Sequence, residues 1–344
     1  MSQHLVGIVA NPASGKDIRR LVAHGSTFDN NEKINIVRRV LLGLEATGVS
    51  QVRFMPDTYA IVERAASALD LHLDLAPLPM PVLGNAGDSQ EAAQRLADLG
   101  AGCIITLGGD GTNRVVAKGC SDVPLVPIST GTNNVFPRMI EGTIAGLAAD
   151  LVATGATSGD DIVTRRPRLD VLLDGKPKDL ALVDVVTSRQ GFIGAQALWD
   201  PGHVKEVVLS RVAPAEIGMA SLGGLLFPDA FGGSSGAYIA VGSDTANAVA
   251  DATVRCVLAP LAPGLIRRVP IASTRLLETG EAADLRQEPC VVALDGEREF
   301  EVLRPDQHLR VILNPHGPRV VDINAALQAG AATAAFTVET TIHQ

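Results

Sequence analysis

The sequence predicts an α/β protein of two units: an N-terminal open, mostly parallel α/β domain over residues 1–155, and a C-terminal antiparallel β-sandwich-like domain over residues 156–330, followed by a tail at 331–344. Three observations carry this. At 344 residues the chain exceeds what one hydrophobic core ordinarily fills. Up to about residue 155, short β-rich runs alternate with amphipathic stretches, the pattern of parallel strands joined by crossover helices. From Asp161 onward the runs are separated by turn signals, above all Asp174-Gly175 and Asp295-Gly296, which mark hairpins. With 46% apolar and 19% charged residues, the chain has the apolar content to fold.

In chain order, residues 5–10 form the first strand and run into Asn11-Pro12-Ala13-Ser14-Gly15-Lys16. Ile34, Val37, Val40, Leu41 and Leu44 recur at helical spacing with Glu32, Lys33, Arg38, Arg39 and Glu45 between them, so one helix face packs on the sheet. Residues 52–55 read as a short strand. Thr58 is expected to cap the helix carrying Ile61, Val62, Ala65 and Leu69, and Asp88 with Glu91 has capping-box spacing before residues 92–99. Residues 103–107 and 125–128 are continuous apolar runs of the kind buried parallel strands show. A helical stretch over 134–153 closes the unit, and the boundary is expected at 154–160, where Gly155, Ser158 and Gly159 cluster. Beyond it, strands are expected at 169–173, 180–187, 237–241, 291–294, 300–303, 308–313 and 319–323, with a helix over 214–226 opened by Pro214.

Composition excludes several function classes. The net charge of −9 has the wrong sign for gripping nucleic acid or anionic lipid through bulk charge, and one Trp, two Tyr and eight Phe are too few for base-stacking platforms. Cys103, Cys120, Cys256 and Cys290 contain no CxxC pair for zinc or thiol exchange, and the seven histidines show no metal-ligand spacing. The opening residues lack a basic region followed by a long apolar run, so a cytoplasmic location is expected. Residues 217–243 carry a single charge, Asp229, yet hold seven glycines and Pro228, which argues against a membrane span.

The sharpest chemical signal is Gly108-Gly109-Asp110-Gly111-Thr112, placed where a buried strand ends and a helix begins. Ligands of open α/β sheets bind at that edge. Glycines let backbone N–H groups approach an anion, the helix N-terminus adds partial positive charge, and Asp110 is a carboxylate suited to take a proton from a hydroxyl or to hold Mg²⁺. Two further polar loops, 11–16 and Ser129-Thr130-Gly131-Thr132-Asn133-Asn134, also follow predicted parallel strands, so the three tips should converge on one ligand. The 11–16 loop is not a Walker A loop, because Ala10 stands where its first glycine belongs and Asp17 where its Mg²⁺-binding hydroxyl belongs; the Gly109-x-Gly111 loop is not a dinucleotide fingerprint, because Arg114 replaces the last glycine. Gly232-Gly233-Ser234-Ser235-Gly236 matches a nucleophile elbow formally, but a strand follows it where an elbow needs a helix. Arg165, Arg166, Arg168, Arg267 and Arg268 read as solvated faces, and Arg189-Gln190-Gly191-Phe192 with Trp199 as a candidate acceptor pocket.

NPxSGK, GGDGT, PxxTGTxN and Leu294-Asp295-Gly296-Glu297, in that order, resemble the superfamily of NAD kinases, diacylglycerol kinases and sphingosine kinases, and within it the ATP-NAD-kinase-like proteins of the acetoin catabolism protein X type. The resemblance spans most of the chain. It implies ATP- and Mg²⁺-dependent phosphorylation of a hydroxyl on a small molecule, NAD foremost, at a site between the two domains. By that resemblance Asp110 is the general base; Gly108, Gly109, Gly111 and Thr112 form the ATP-phosphate loop; Asn11, Ser14, Gly15 and Lys16 flank the nucleotide; Thr132 and Asn133 line the site; Glu297 meets the nucleotide; and Asn134 and Asp295 meet the substrate. A homo-oligomer is expected. Two departures stand out. Lipid kinases carry an acid, and NAD kinases a glutamate, where this chain has Asn134, and the NxGxxGF segment of ordinary NAD kinases is absent. A lipid kinase and a non-catalytic nucleotide-binding regulator linked to acetoin catabolism are the alternatives.

Overall fold

The computed structural model describes residues 4–15, 24–26, 28–189, 201–242, 255–285 and 288–337. The N-terminal half runs β1 (Leu5–Ala10), α1 (Asn30–Thr47), β2 (Gln51–Phe54), α2 (Ile61–Ala66), β3 (Asp74–Pro77), α3 (Ala86–Asp98), β4 (Cys103–Gly108), α4 (Asp110–Gly119), β5 (Leu125–Ser129) and α5 (Gly142–Ala153). The rest comprises β6 (Val163–Arg165), β7 (Arg168–Leu173), β8 (Lys176–Ala181), β9 (Asp184–Ser188), β10 (Val204–Leu209), α6 (Ser221–Leu226), β11 (Gly236–Val241), β12 (Cys256–Ala262), β13 (Leu265–Leu277), β14 (Ala282–Asp284), β15 (Cys290–Leu294), β16 (Glu297–Val302), β17 (Leu309–Asn314), β18 (Arg319–Val321) and α7 (Ile323–Ala332).

The first sheet has the order β3-β2-β1-β4-β5-β18-β6, with β1 to β5 parallel. Strand order reverses between β1 and β4, so the loops leaving these two strands open a crevice at their carboxyl ends, where ligands of such sheets bind. β1 is buried on both faces, and its alternation explains the two layers around it. Val6, Ile8 and Ala10 pack with Ile34, Val37, Leu41 and Ala145 of α1 and α5, while Leu5 and Val9 pack with Ala92, Leu96 and Val116 of α3 and α4. Helices α1 and α5 approach closely because a Cβ on Gly146 would stand 2.4 Å from the Val40 carbonyl oxygen.

Antiparallel pairing dominates the second half. A seven-stranded sheet of order β12-β13-β11-β10-β9-β15-β16 faces a four-stranded sheet of order β14-β17-β7-β8, and Val171, Val311 and Leu313 from the smaller sheet share a core with Val185, Val208 and Val292 from the larger. Both expected Asp-Gly hairpins form, and their aspartates take the left-handed turn conformation, φ 52° at Asp174 and at Asp295.

Several sequence expectations are corrected. The run 180–187 is two strands in different sheets, β8 and β9, parted at Leu182 and Val183, whose N–H groups are taken by Asp295. The strand expected at 319–323 is β18, which joins the first sheet beside β5 and β6, and α7 follows it onto α5; the chain therefore returns to its N-terminal half, and helix reaches Ala332, inside what the sequence marks as tail. Helix α5 begins only at Gly142, with Glu141 as its cap, because residues 134–137 serve the site described below. Only residues 221–226 of the expected 214–226 helix are α-helical, since Gly218 has φ 75°. Asp57, not Thr58, accepts the N–H of Ile61 at the start of α2. Asn85 caps α3, one turn earlier than expected, and Asp88 reaches back to the N–H groups of Leu83 and Gly84. Residues 232–236 lead into strand β11, as the rejected elbow requires. Among the described residues no helix is long and apolar enough to cross a membrane.

Candidate active site

The carboxyl ends of β1, β4 and β5 carry the three polar loops, and the structure ties them together. Asn11 Nδ2 donates to Thr112 Oγ1 at 2.9 Å; Ser14 Oγ donates to the Asn11 carbonyl and lies 3.0 Å from Thr130 Oγ1. Gly15 has φ 83°, the left-handed turn that closes the first loop. Beneath that loop lies Lys33, whose Nζ donates to the carbonyls of Asn11, Pro12 and Ser14 and to Asn30 Oδ1. The sequence places Lys33 on the polar face of α1; in the structure it is fully buried.

Asp110 opens α4. The Val135 N–H donates to both of its carboxylate oxygens, at 3.0 and 3.1 Å, and the Phe136 N–H donates to Oδ1 at 2.7 Å. The second loop thereby fixes the third. Arg211 holds the same peptide from the C-terminal half, donating to the Val135 carbonyl at 3.1 Å and to Glu216 at 2.7 Å. The glycines beside Asp110 are required by protein contacts: a Cβ on Gly108 would stand 2.5 Å from Thr112 Cβ, one on Gly109 2.8 Å from Asn134 Oδ1, and one on Gly111 3.1 Å from Glu297 Oε2. The last contact is the most informative, because it sets a carboxylate of the β15–β16 turn directly on the glycine loop.

Around these residues is a cleft of about 820 Å³, bordered by Asn11 to Gly15, Gly109 to Thr112, Thr130, Gly131, Asn133, Asn134, Asp295 and Glu297. The three loops and the turn after β15 thus meet, as the sequence predicts. Asn133 Oδ1 is buried there with no hydrogen-bond partner among the described residues. Asn134 Nδ2 donates to Ser129 Oγ at 2.7 Å and to the Gly131 carbonyl at 3.3 Å, contacts that need a donor and suit an amide. Gly108 and Thr132 do not border the cleft; Thr132 Oγ1 accepts from the Ser26 N–H instead. Lys16, residues 190–192 and Trp199 lie outside the described residues.

Asp295 corrects the sequence reading. Its carboxylate accepts the N–H groups of Leu182, Val183 and Asp184, its side chain has no exposed surface, and burial pushes its carboxyl up to about 6 against the pull of the Arg114 guanidinium. It borders the cleft through its main chain, so a substrate contact through the carboxylate is not what this geometry provides. Arg114, seen in the sequence only as a missing glycine, is 3% exposed and faces Asp179 at 3.4 Å, Asp295 at 3.6 Å and Glu299. The far wall of the cleft, formed by residues 55–59 and 84–90, contains no motif and escaped the sequence reading. Arg165 and Arg168 pair with Asp122 and Asp170, each at 2.7 Å, in keeping with solvated faces. Among the described residues no group of three His, Cys, Asp or Glu side chains could hold a metal ion.

Residues 6–156 match the ATP-NAD kinase N-terminal domain, and residues 167–316 the acetoin catabolism protein X C-terminal domain. Acetoin catabolism protein X of Cupriavidus necator is 38% identical over 337 residues, covering 94% of this chain and 91% of the relative. Among solved structures, an NAD kinase from Archaeoglobus fulgidus in complex with ATP aligns with 97% of this chain and 100% of its own at 14% identity and TM-score 0.40. A diacylglycerol kinase from Bacillus anthracis str. Sterne aligns with 93% of this chain and 97% of its own at 15% identity and TM-score 0.41.

Proposed function

The chain belongs to the acetoin catabolism protein X family, and from that premise we propose that it is an ATP-dependent kinase that phosphorylates a hydroxyl of a small molecule, with NAD the leading acceptor. The observation that carries this reading is the meeting of Asp110 and Glu297, from the two halves of the chain, at one glycine loop bordering a cleft that also holds Asn133.

In this reading the phosphates of ATP lie at the start of α4, whose first-turn N–H groups receive no side-chain cap from Gly109 and so suit an anion. Lys33 adds a buried positive charge under the neighbouring loop. Mg²⁺ would arrive on the triphosphate, since that ion is commonly bound by one or two carboxylates plus substrate phosphates. Glu297 is the carboxylate that would hold it; when bound it neutralises charge on the transferring phosphoryl group. Asp110 receives the acceptor hydroxyl's proton. Its N–H donors fix the direction of the carboxylate, which suits phosphoryl transfer because positioning and electrostatics supply most of the catalysis. Asn133 Oδ1 accepts a donor group of the bound ligands.

A second reading, a nucleotide-binding regulator without turnover, draws support from Asn134, because the third loop is built around an amide donor where the resemblance to kinases leads one to expect an acid. One experiment separates the two. Purified protein is incubated with ATP, Mg²⁺ and NAD, and NADP is read with an NADP-specific dehydrogenase, with Asp110→Asn as the blank. Parallel arms replace NAD by diacylglycerol and by small polyols. NADP formation above the blank is expected. ATP binding by calorimetry with no product in any arm would overturn the kinase in favour of the regulator.

A further inference from the structure

We propose that Arg114 is a positioning residue which holds the turn after β15 against α4 and thereby sets where Glu297 stands over the glycine loop; this rests on the kinase reading above. Gly111, Arg114 and Lys118 follow one another at spacings of three and four, so they form a single stripe along α4. Each meets an acid from the C-terminal half: Gly111 lies under Glu297, Arg114 faces Asp295 and Glu299, and Lys118 Nζ is 2.6 Å from Asp179. Glu297 and Glu299 stand two residues apart on β16, at a bulge that leaves Glu299 out of the pairing with β15, and both border the cleft and meet α4, so a group that pins Glu299 also limits where Glu297 stands. Arg114 is that group, and at 3% exposure it has little room to release it. Its planar fork reaches carboxylates on three separate positions at once, which the single ammonium of a lysine cannot reproduce. Asp179 draws on both Arg114 and Lys118 and adds β8 to the same contact.

A merely structural ion pair would cost stability when broken, without regard to Glu297. The positioning role predicts coupling. MgATP affinity is therefore measured by calorimetry for the wild type, Arg114→Gln, Glu297→Gln and the double variant, with thermal unfolding alongside. Arg114→Gln should weaken MgATP binding about tenfold, the order expected for removing one member of a directly coupled set, and should have no further effect once Glu297 is Gln. Arg114→Lys should recover part of the loss. If Arg114→Gln folds poorly, Glu299→Gln breaks the same arrangement from β16 and should show the same coupling to Glu297. Effects that add in the double variant, or MgATP affinity unchanged in Arg114→Gln and Glu299→Gln, overturn the proposal while leaving the kinase reading standing. A folded wild-type protein that binds no MgATP overturns both.

Discussion

Two Asp-Gly pairs, 110–111 and 295–296, each place a carboxylate under backbone N–H groups of a distant segment: Asp110 takes Val135 and Phe136, and Asp295 takes Leu182, Val183 and Asp184. The surroundings differ. Asp110 begins a helix at the edge of the cleft, beside a glycine on which Glu297 rests. Asp295 sits in a left-handed hairpin turn with its side chain wholly inside the protein, and its hydrogen bonds fall where β8 ends in one sheet and β9 begins in another. The same hydrogen-bond chemistry therefore serves the proposed ligand site in one case and the junction of two sheets in the other, and access to the cleft decides which.

Removing each carboxylate tests that division. Asp295→Ala should lower stability by about 3–5 kcal/mol, because it leaves the buried Arg114 short of a counter-charge and three N–H groups without their acceptor. Urea unfolding gives the value. Asp110→Asn should unfold close to the wild type, since an amide oxygen can still accept from Val135 and Phe136, yet phosphoryl transfer should fall by roughly 10² to 10⁴. Equal stability losses for the two variants would erase the distinction.

Lys33 performs the converse task, gathering carbonyls where the aspartates gather N–H groups. Lys33→Met keeps much of the side-chain volume and leaves those carbonyls without a donor, so a loss of about 1–3 kcal/mol is expected, together with weaker ATP binding. Calorimetry and urea unfolding on one preparation separate the two effects. A stable variant with normal ATP affinity would show that the first loop holds its shape without the lysine.

What the sequence made legible follows from how local each signal is. The β1, β4 and β5 strands are continuous apolar runs ending in glycine-containing polar loops, so both the parallel sheet and the meeting point of its loops could be read from neighbouring residues. The hairpin at Asp295-Gly296 announces itself by its turn chemistry. Lys33 could not be read, because it looks like one more charge on an amphipathic helix and its partners are carbonyls about twenty residues back. Nor could Arg114, whose partners lie 65 and 185 residues away. The break between β8 and β9 is imposed by Asp295 from beyond the run itself, and the return of β18 and α7 to the first sheet depends on a pairing with β5 that no local pattern encodes.

The smallest expected effect is the pH response of Asp295, and it sharpens the comparison most selectively. Burial raises the folded-state carboxyl from the usual 3.8 to about 6. Between those values the folded protein binds more protons than the unfolded chain, so this group's contribution to stability grows as pH falls through about 6 and is lost as pH rises through it. Going from pH 7.5 to pH 5 should therefore stabilise the wild type at this site by about 1 kcal/mol, before other groups are considered. Other carboxylates titrate in the same range, so the quantity to measure is the difference between the wild type and Asp295→Asn in their urea-derived stabilities at the two pH values. Asp295→Asn should lack this component, because an amide does not titrate, whereas Asp110→Asn should retain it, because Asp295 is untouched there. Parallel pH dependences for the wild type and Asp295→Asn would show that the Arg114 guanidinium and the N–H donors hold Asp295 charged throughout, and that it differs from Asp110 in location alone.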